Sequence, residues 1–309
     1  MNIKSYIKNF GIDIFLSKAI RKPFYGNKTY LGKKICLYNE KKIKDFLYVN
    51  VIQDLKKVES QPIHFFNNHV KKNSVIWTMW WQGLNNAPCI VKACINNLKK
   101  YNPTRDVIVI SKENYKNYLH LNSKIINDLN KGNISITHFS DIYRVNLLYV
   151  YGGAWIDSTI FETKTISDSI FDKDFYTIKT GKYTNDPSHG RWTTFFMESQ
   201  AGNKLMNFLR LSFDIYCNKY SLFIDYILFD YFIAIAVDMS KEIQQVINTV
   251  PVNNSKVFEL EKYLDQSEKL FDYFMNSDTY LYKLTYKKQY DEGNFKKGPT
   301  IFGKIIRES

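Results

Sequence analysis

The segment "HFSDIYRVNLLYVYGGAWIDSTIF", residues 138–161, most restricts the fold of this chain. Its first half is apolar on nearly every side of a helix, so that helix has to be buried. Thr137 can cap the start of the helix, and Gly152 and Gly153 can end it. The remainder reads as one strand that carries a single acid, Asp157. The segment therefore predicts a buried helix that leads directly into a strand bearing Asp157.

The residues before this segment alternate between strand and helix patterns. Residues 74–81 and 106–111 are short apolar β-type runs, and residues 87–103 between them have helical periodicity. A further helix is predicted over residues 113–130. Such alternation predicts an α/β fold whose central sheet is mainly parallel and is flanked by helices. Ligands of such sheets bind at the carboxyl ends of the strands.

The positive charge of the chain is concentrated at its two ends. The net charge is +13; residues 1–44 hold 11 Lys and Arg against 2 acids, and residues 283–309 hold 7 against 3. We therefore predict a basic helical segment over residues 1–72 and a separate domain over residues 73–309. Basic ends beside a neutral body favour an anionic membrane surface as partner and argue against nucleic acid.

Two apolar stretches bear on membrane contact. Apolar residues recur at helical spacing from Ile3 to Ile14, which fits either an interfacial helix or an ordinary packed helix. Lys and Asp interrupt this stretch, so it does not resemble a signal peptide. The run from Ser221 carries Asp225 and Asp230, which favours a buried helix over a membrane span. The four cysteines show no metal-type spacing and predict reduced thiols without a structural zinc.

Three charged residues are candidates for one site. Asp141 and Arg144 lie one turn apart at the start of the predicted helix, and Asp157 follows the Gly pair. Taken separately, Asp141 and Arg144 can be a structural ion pair, and Asp157 can be a turn or capping acid. Taken together, they can converge on one rim of a cleft, which indicates a functional site.

The motifs around these residues carry a resemblance. "WTMWWQG", "HFSDIYR" and "YGGAWIDST" together resemble the sugar-binding region of glycosyltransferase family 32, and most closely its bacterial capsular polysaccharide synthesis branch. The likeness is strong over residues 74–165. Weaker similarity lies in "RWTTFFMESQAGN", "FIDYILFDYF" and "LYKLTYK".

This resemblance implies a GT-A fold and a nucleotide-sugar donor that is UDP-linked. In the wider family an Asp-x-x-Arg pair contacts the nucleotide and donor sugar, which corresponds to Asp141 and Arg144. An Asp-x-Asp motif handles ribose, sugar and a divalent metal, Mn²⁺ or Mg²⁺. Asp157 matches its first acid, and Thr159 stands where the second acid would be. The resemblance also implies that the anomeric configuration is retained.

Thr159 makes metal use an open question, because a hydroxyl is a weaker ligand than a carboxylate for a hard cation. In one alternative Asp157 holds a metal with help from the diphosphate and from a distant acid or His189. In the other, cationic side chains offset the charge that develops on the leaving diphosphate. The candidates for that role are Arg144, Arg191, Lys283 and Lys287. We expect Asp157 chiefly to position hydroxyls of the donor.

Other side chains complete the expected site. Trp81 can stack on the nucleobase and Gln82 can hydrogen-bond its edge, whereas strand alternation places Trp80 on the opposite face. Asp230 is a catalytic candidate together with Asp157 and Arg144. Asp230, or Asp225 in the same run, can accept a hydrogen bond from the acceptor hydroxyl or orient Arg191. The alternative is that both acids are structural. His64 and His69 are interpreted as structural.

These expectations describe a cytoplasmic glycosyltransferase, peripheral at the inner face of the bacterial cell membrane. It transfers a sugar from a nucleotide sugar to a lipid-linked capsular or exopolysaccharide intermediate. The missing second acid supports an alternative, a catalytically inactive relative that binds sugars in a polysaccharide assembly complex. A basic nucleic-acid-binding protein is the third hypothesis, which the neutral body disfavours.

Overall fold

The computed structural model describes residues 3–26, 29–57, 69–294 and 298–309, which form a mixed α/β structure around a five-stranded sheet. The strands are β1 Ile76–Met79, β2 Val107–Ile110, β3 Gly153–Ile156, β4 Ile160–Glu162, β5 Phe175–Thr177, β6 Phe196–Ser199, β7 Leu281–Lys283, β8 Gly293–Asn294 and β9 Gly298–Pro299. The helices are α1 Ile3–Phe10, α2 Ile12–Arg21, α3 Tyr30–Asn50, α4 Cys89–Tyr101, α5 Ser123–Asn130, α6 Ile136–Tyr151, α7 Asp168–Phe171, α8 Lys204–Lys219, α9 Leu228–Met239, α10 Lys241–Thr249, α11 Phe271–Met275 and α12 Ile301–Glu308.

The central sheet has the strand order β2-β1-β3-β6-β5. Strand β1 pairs in parallel with both β2 and β3, while β6 runs antiparallel to its neighbours β3 and β5. Four of the five strands therefore point the same way, and the prediction of a mainly parallel sheet is confirmed. Trp77 and Trp155 point into the core beneath α6 and α8, whereas Ile76 and Ala154 point into a second core on the opposite face.

The predicted β-α-β unit is confirmed by β1, α4 and β2, but the helix predicted over residues 113–130 is wrong in its first half. A single 3₁₀ turn spans Tyr115–Asn117, and the α-helix begins only at Ser123, with the Asn122 side chain accepting a hydrogen bond from the backbone N–H of Lys124. A cap inside the predicted segment ends one helical element and starts another. Hydrophobic periodicity is averaged over a window of residues, so it does not reveal such a boundary.

Helix α6 is buried along nearly its whole length, as its sequence predicts. Its N-cap is Ser135, whose Oγ accepts from the backbone N–H of His138, so the prediction of Thr137 as the cap is wrong by two residues. The prediction of a single strand after the Gly pair is also wrong. The chain leaves the central sheet after Ile156, turns through residues 157–159, and continues as β4 in a separate pairing with β7.

The Gly pair brings α6 against the sheet. Gly153 has φ +83°, and a Cβ atom there would lie 2.1 Å from the carbonyl oxygen of Val75, the residue immediately before β1. A side chain at this position would therefore push β1 and β3 apart, which only glycine avoids.

We expect Gly153→Ala to lower the free energy of unfolding by about 3–5 kcal/mol, because it adds a steric clash to the cost of a positive φ. Gly132→Ala is the matched control, since Gly132 has φ +74° but nothing within 4 Å of the added atom. It should cost only about 1–2 kcal/mol. Urea denaturation of both variants measures the difference; equal losses would contradict the close approach of the strands.

The basic helical lead segment packs onto the body of the protein. Tyr6, Phe10 and Ile14 belong to the same core as the sheet residues, and the Tyr6 hydroxyl donates to the carbonyl oxygen of Ile224. On the side that faces the core, the N-terminal helices are therefore ordinary packed helices, one of the two interpretations of their sequence. The outer face of α2 is exposed and carries large apolar side chains. The boundary proposed at residue 72 remains a prediction, and His64 lies outside the described residues.

The apolar run that begins at Ser221 is not one helix. Helix α9 starts at Leu228, so Asp225 lies in the loop before it and only Asp230 is helical, in the first turn. Asp225 is buried and lies 2.9 Å from Nη2 of Arg21 and 3.3 Å from Nζ of Lys18. These two ion pairs join α2 to the loop that carries Asp225. In the part of the chain that the structure describes, none of the helices has the length and apolarity needed to cross a bilayer.

Candidate functional site

A cavity of about 660 Å³ lies at the carboxyl ends of β1 and β3. Residues 79–82 enter it from the end of β1, and residues 157–159 enter it from the turn after β3. Its volume is in the range of small-molecule and cofactor sites, and its position is the one at which parallel sheets bind ligands. This cavity is the candidate active site.

Asp157 lies at the centre of a network of hydrogen bonds and ion pairs. Its Oδ1 accepts a hydrogen bond from Nε1 of Trp155 at 2.9 Å, and its Oδ2 accepts one from Nζ of Lys283 at 2.7 Å. The guanidinium of Arg144 lies 3.6 Å from Oδ1. Burial raises the pKa of Asp157, but Lys283 and Arg144 outweigh this effect and hold the pKa below its ordinary value. Asp157 is therefore a carboxylate at neutral pH.

Arg144 joins Asp157 to Asp141. Its Nη2 lies 3.0 Å from Oδ1 of Asp141, its Nη1 donates to the backbone carbonyl of Thr194, and its guanidinium stacks 4.7 Å from the ring of Trp155. The structure thus brings together Asp141, Arg144 and Asp157, which the sequence places on two different elements. Burial raises the pKa of Asp141 to about 7, with Arg144 acting against this shift and Asp157 adding to it.

Asp230 faces the same cavity from the first turn of α9. It accepts a hydrogen bond from Nε1 of Trp192 at 2.8 Å, and burial together with Asp186 raises its pKa to about 7. The expected contact with Arg191 is wrong, because that guanidinium donates to the carbonyl oxygens of Pro187 and Ser188 instead.

His189 and Arg191 both fall outside the set of residues that line the cavity. Nε2 of His189 lies 3.0 Å from Oε2 of Glu40 on α3, so this histidine connects a loop to the N-terminal helices. The alternative in which His189 helps Asp157 to hold a metal is therefore wrong. Arg191 likewise does not line the cavity and is no longer a candidate for contact with a ligand bound in it.

Two carboxyl groups with pKa values near 7 predict that the affinity of the cavity for an anionic ligand depends on pH. Both pKa values are raised to about 7, so Asp141 and Asp230 are neutral below pH 7 and add negative charge to the cavity above it. We expect an anionic ligand such as a diphosphate diester, whose phosphates do not titrate in this range, to bind about tenfold more weakly at pH 8 than at pH 6. Calorimetry at both pH values tests this, and Asp141→Asn should reduce the dependence. Affinity that rises with pH would contradict it.

Trp80 and Trp81 pack against different cores, as strand alternation predicts. Both nevertheless line the cavity, so the expectation that only one of them faces the site is wrong. Trp81 packs against Tyr115 and Phe139, with ring centroids 5.2 and 5.0 Å away, while Trp80 meets Tyr286 at 5.1 Å and 90°. Gln82 follows them on the rim and is exposed.

A basic strip borders the same cavity. Lys283, Lys287 and Lys288 line it, and Lys288 pairs with Glu261. Lys283 reaches Asp157 because β7 pairs with β4 in the register Ile160↔Lys283, immediately after the turn that carries Asp157. The geometry therefore places four acidic side chains, one guanidinium and three ammonium groups around one volume.

Comparison with known proteins assigns the chain to a family. The sequence profile of the family described as "Capsular polysaccharide synthesis protein" matches residues 24–305. The chain belongs to this family. A search of curated protein sequences returns no match. Among solved structures, the "PaToxG Glycosyltransferase" is 12% identical, with a TM-score of 0.38 over 82% of this chain and 98% of that one. A likeness with so low a TM-score supports no functional argument.

The residues of this capsular polysaccharide synthesis protein do not fit a divalent cation at Asp157. One Asp157 oxygen accepts from the Lys283 ammonium, Asp141 pairs with Arg144, and Thr159 is buried with only a hydroxyl to offer. Within the described ranges, no group of three or more His, Cys, Asp or Glu side chains could hold a metal. A divalent cation needs several oxygen ligands with negative charge, whereas Asp157 is surrounded by cations.

Sequence reasoning missed several residues that line the cavity of this family member. Trp155, Thr194 and Phe229 orient or cover Arg144, and Tyr286 packs on Trp80. Lys283 appears in the sequence only as one of several candidate cations. Its contact with Asp157 depends on a strand pairing between residues 126 positions apart, for which the local sequence contains no signal.

Proposed function

We propose that this capsular polysaccharide synthesis protein is a GT-A-type glycosyltransferase related to family 32. It transfers a sugar, with retention, from a nucleotide-sugar donor to a lipid-linked intermediate at the inner face of the bacterial cell membrane. One observation chiefly supports this proposal: Asp141, Arg144 and Asp157 meet in the wall of one cavity at the carboxyl ends of the strands. Family membership supports a reaction in capsule synthesis.

The cavity has distinct regions for the parts of a donor. Trp81 is half-buried, and its indole can stack on a nucleobase whose edge meets Gln82. Asp157 is ionised and accepts hydrogen bonds, so it positions ribose or sugar hydroxyls. Asp141 and Arg144 contact the nucleotide and donor sugar from the side of α6, and Arg144 also faces the phosphates.

Cationic side chains take the part that a metal plays in other sugar transferases. When the bond between the anomeric carbon and the diphosphate oxygen breaks, negative charge develops on that oxygen. Lys283 and Lys287 line the same cavity as Asp157, so their ammonium groups can stabilise the departing diphosphate. Lys283 is held in place by Asp157 and needs little rearrangement to do so.

Asp230 is assigned to the acceptor. It lines the cavity from α9, and its carboxyl group has a pKa of about 7, which suits exchange of a proton near neutral pH. In the proposed reaction the acceptor oxygen forms the new bond to the anomeric carbon as the bond to the diphosphate oxygen breaks. The ionised form of Asp230 accepts a hydrogen bond from the acceptor hydroxyl and then takes its proton.

A thermal-shift screen against nucleotide sugars tests the donor and the metal together. We expect one UDP-sugar to raise the melting temperature equally with Mn²⁺ and with EDTA, because specific ligands stabilise the folded state by mass action. Release of UDP in the presence of acceptor should likewise be unaffected by EDTA. A shift that requires Mn²⁺ would refute metal-free binding. Donor binding with no turnover under any condition would favour the inactive sugar-binding relative.

A further inference from the structure

A second cavity, of about 580 Å³, lies beside the candidate active site. Tyr226 and Ile227 line both cavities, so the two cavities adjoin at this short stretch before α9. Another wall of the second cavity is built by the N-terminal helices, with Phe15 and Ala19 on α2. A molecule held in the second cavity is therefore within reach of the site where sugar transfer is proposed.

One part of the second cavity is basic. Lys18, Arg21 and Lys22 line it together with one acid, Asp225, which leaves an excess of two positive charges among its lining residues. Arg21 is fixed by Asp225 at 2.9 Å and by the hydroxyl of Tyr231 at 3.1 Å. A preorganised basic group of this kind suits a phosphate, whose charge complements the excess.

The rest of the second cavity is apolar and continues onto the outer surface of α2. On the surface of α2, the row formed by Phe15 and Ala19 lies beside the row formed by Ile12, Leu16 and Ile20. The latter three are 56%, 50% and 56% exposed. A row of large exposed apolar side chains on one helix marks an interaction surface, and here it lies within the basic segment of the chain.

We propose that the second cavity binds the phosphate ester of a long-chain alcohol, the lipid end of the acceptor. The phosphate lies against Lys18, Arg21 and Lys22, and the chain passes over Phe15 and Ala19 toward the bilayer. The row formed by Ile12, Leu16 and Ile20 lies in the membrane interface. The sugar end then reaches the main cavity past Tyr226 and Ile227. This inference rests on the proposed function for its acceptor but identifies a separate binding site.

Decyl phosphate below its micellar concentration is the probe for the second cavity. We expect calorimetry to detect its binding to the full chain, and inorganic phosphate and decanol to bind at least about tenfold more weakly, since each lacks half of the contacts. Ala19→Trp, which fills the cavity, and Lys22→Gln should each weaken binding about fivefold to tenfold. Lys8→Gln, an exposed charge-matched control outside the cavity, should leave it within twofold.

Equal binding of decyl phosphate by wild type, Ala19→Trp and Lys22→Gln would overturn the proposal. If inorganic phosphate binds as tightly as decyl phosphate, the site recognises only an anion. If decanol binds as tightly as decyl phosphate, the site is only an apolar groove. Either result refutes the proposal. The UDP-sugar thermal shift is measured on the same variants and should not change. Wild type that binds decyl phosphate but no nucleotide sugar would refute the proposed function and leave this site standing.

Vesicle cosedimentation tests the exposed row of α2. The double variant Leu16→Ser and Ile20→Ser should bind anionic vesicles about fivefold or more weakly than wild type, because two apolar side chains leave the interface. Val252→Ser is the control, since Val252 is 62% exposed but lies on another part of the surface. Vesicle binding that the double variant retains in full would contradict the orientation proposed for α2.

Discussion

Replacing Asp157 by Ala or Asn should lower kcat/KM for UDP release by about 10³-fold. A loss of this size is expected because Asp157 positions both the reacting sugar and the neighbouring cations. Asp157 is the only acid that contacts both Arg144 and Lys283 among the described residues, at 3.6 and 2.7 Å. Its loss removes the acceptor of donor hydroxyls and also frees both cations from their fixed positions. Steady-state kinetics with the donor found by thermal shift measures the effect.

The controls for Asp157 separate function from folding. Asp278→Ala removes an exposed carboxylate elsewhere and should leave kcat/KM within twofold. Asp157→Asn keeps the shape of the side chain, so its melting temperature should stay closer to wild type than that of Asp157→Ala. If both Asp157 variants release UDP within threefold of the wild-type rate, the assignment of the active site is wrong.

Lys283→Met should lower kcat by about 10²-fold to 10³-fold, because it removes the ammonium group that stabilises the leaving diphosphate. The effect on KM should be smaller, since this charge develops mainly in the transition state. Lys283→Arg, which keeps a positive charge, should recover part of the rate. Single-turnover measurements of donor cleavage resolve the chemical step.

Two results would contradict the role of Lys283. One is a Lys283→Met variant whose kcat equals that of wild type. The other is wild-type turnover that EDTA abolishes, because a metal would then supply the positive charge. Lys131→Met, at the exposed end of α5, is the matched control and should not change kcat. The double substitution of Asp157 and Lys283 should lose less than the sum of the two single effects, as groups that act together do.

The sequence predicts well what short-range patterns determine. The buried helix α6 and its end at Gly152 depend on adjacent residues, and both were predictable. So was the arrival of Asp157 soon after the Gly pair, although Asp157 lies in the turn after β3 and not within a strand. Arg144 contacts Asp157 because Gly152 and Gly153, both with positive φ, turn the chain sharply from α6 into β3. The parallel sheet follows from the alternation of apolar runs with helical ones.

The sequence predicts poorly where two local solutions compete. Ser135 and Thr137 are both good caps, and the choice between them depends on which backbone N–H lies within reach of the hydroxyl. Asp225 lies in an apolar run that favours helix, yet its ion pairs with Lys18 and Arg21 hold it in the preceding loop. Tertiary contacts of this kind override propensity.

The pairing of β4 with β7 has a consequence for biosynthesis. Asp157 meets Lys283 only after strand Leu281–Lys283 has been added beside Ile160–Glu162, and the two partners are 126 residues apart. A nascent chain on the ribosome that ends before Lys283 carries the acids without their neutralising ammonium group. Until this strand has emerged and docked, the proposed active site therefore lacks the ammonium group that holds Asp157 in place.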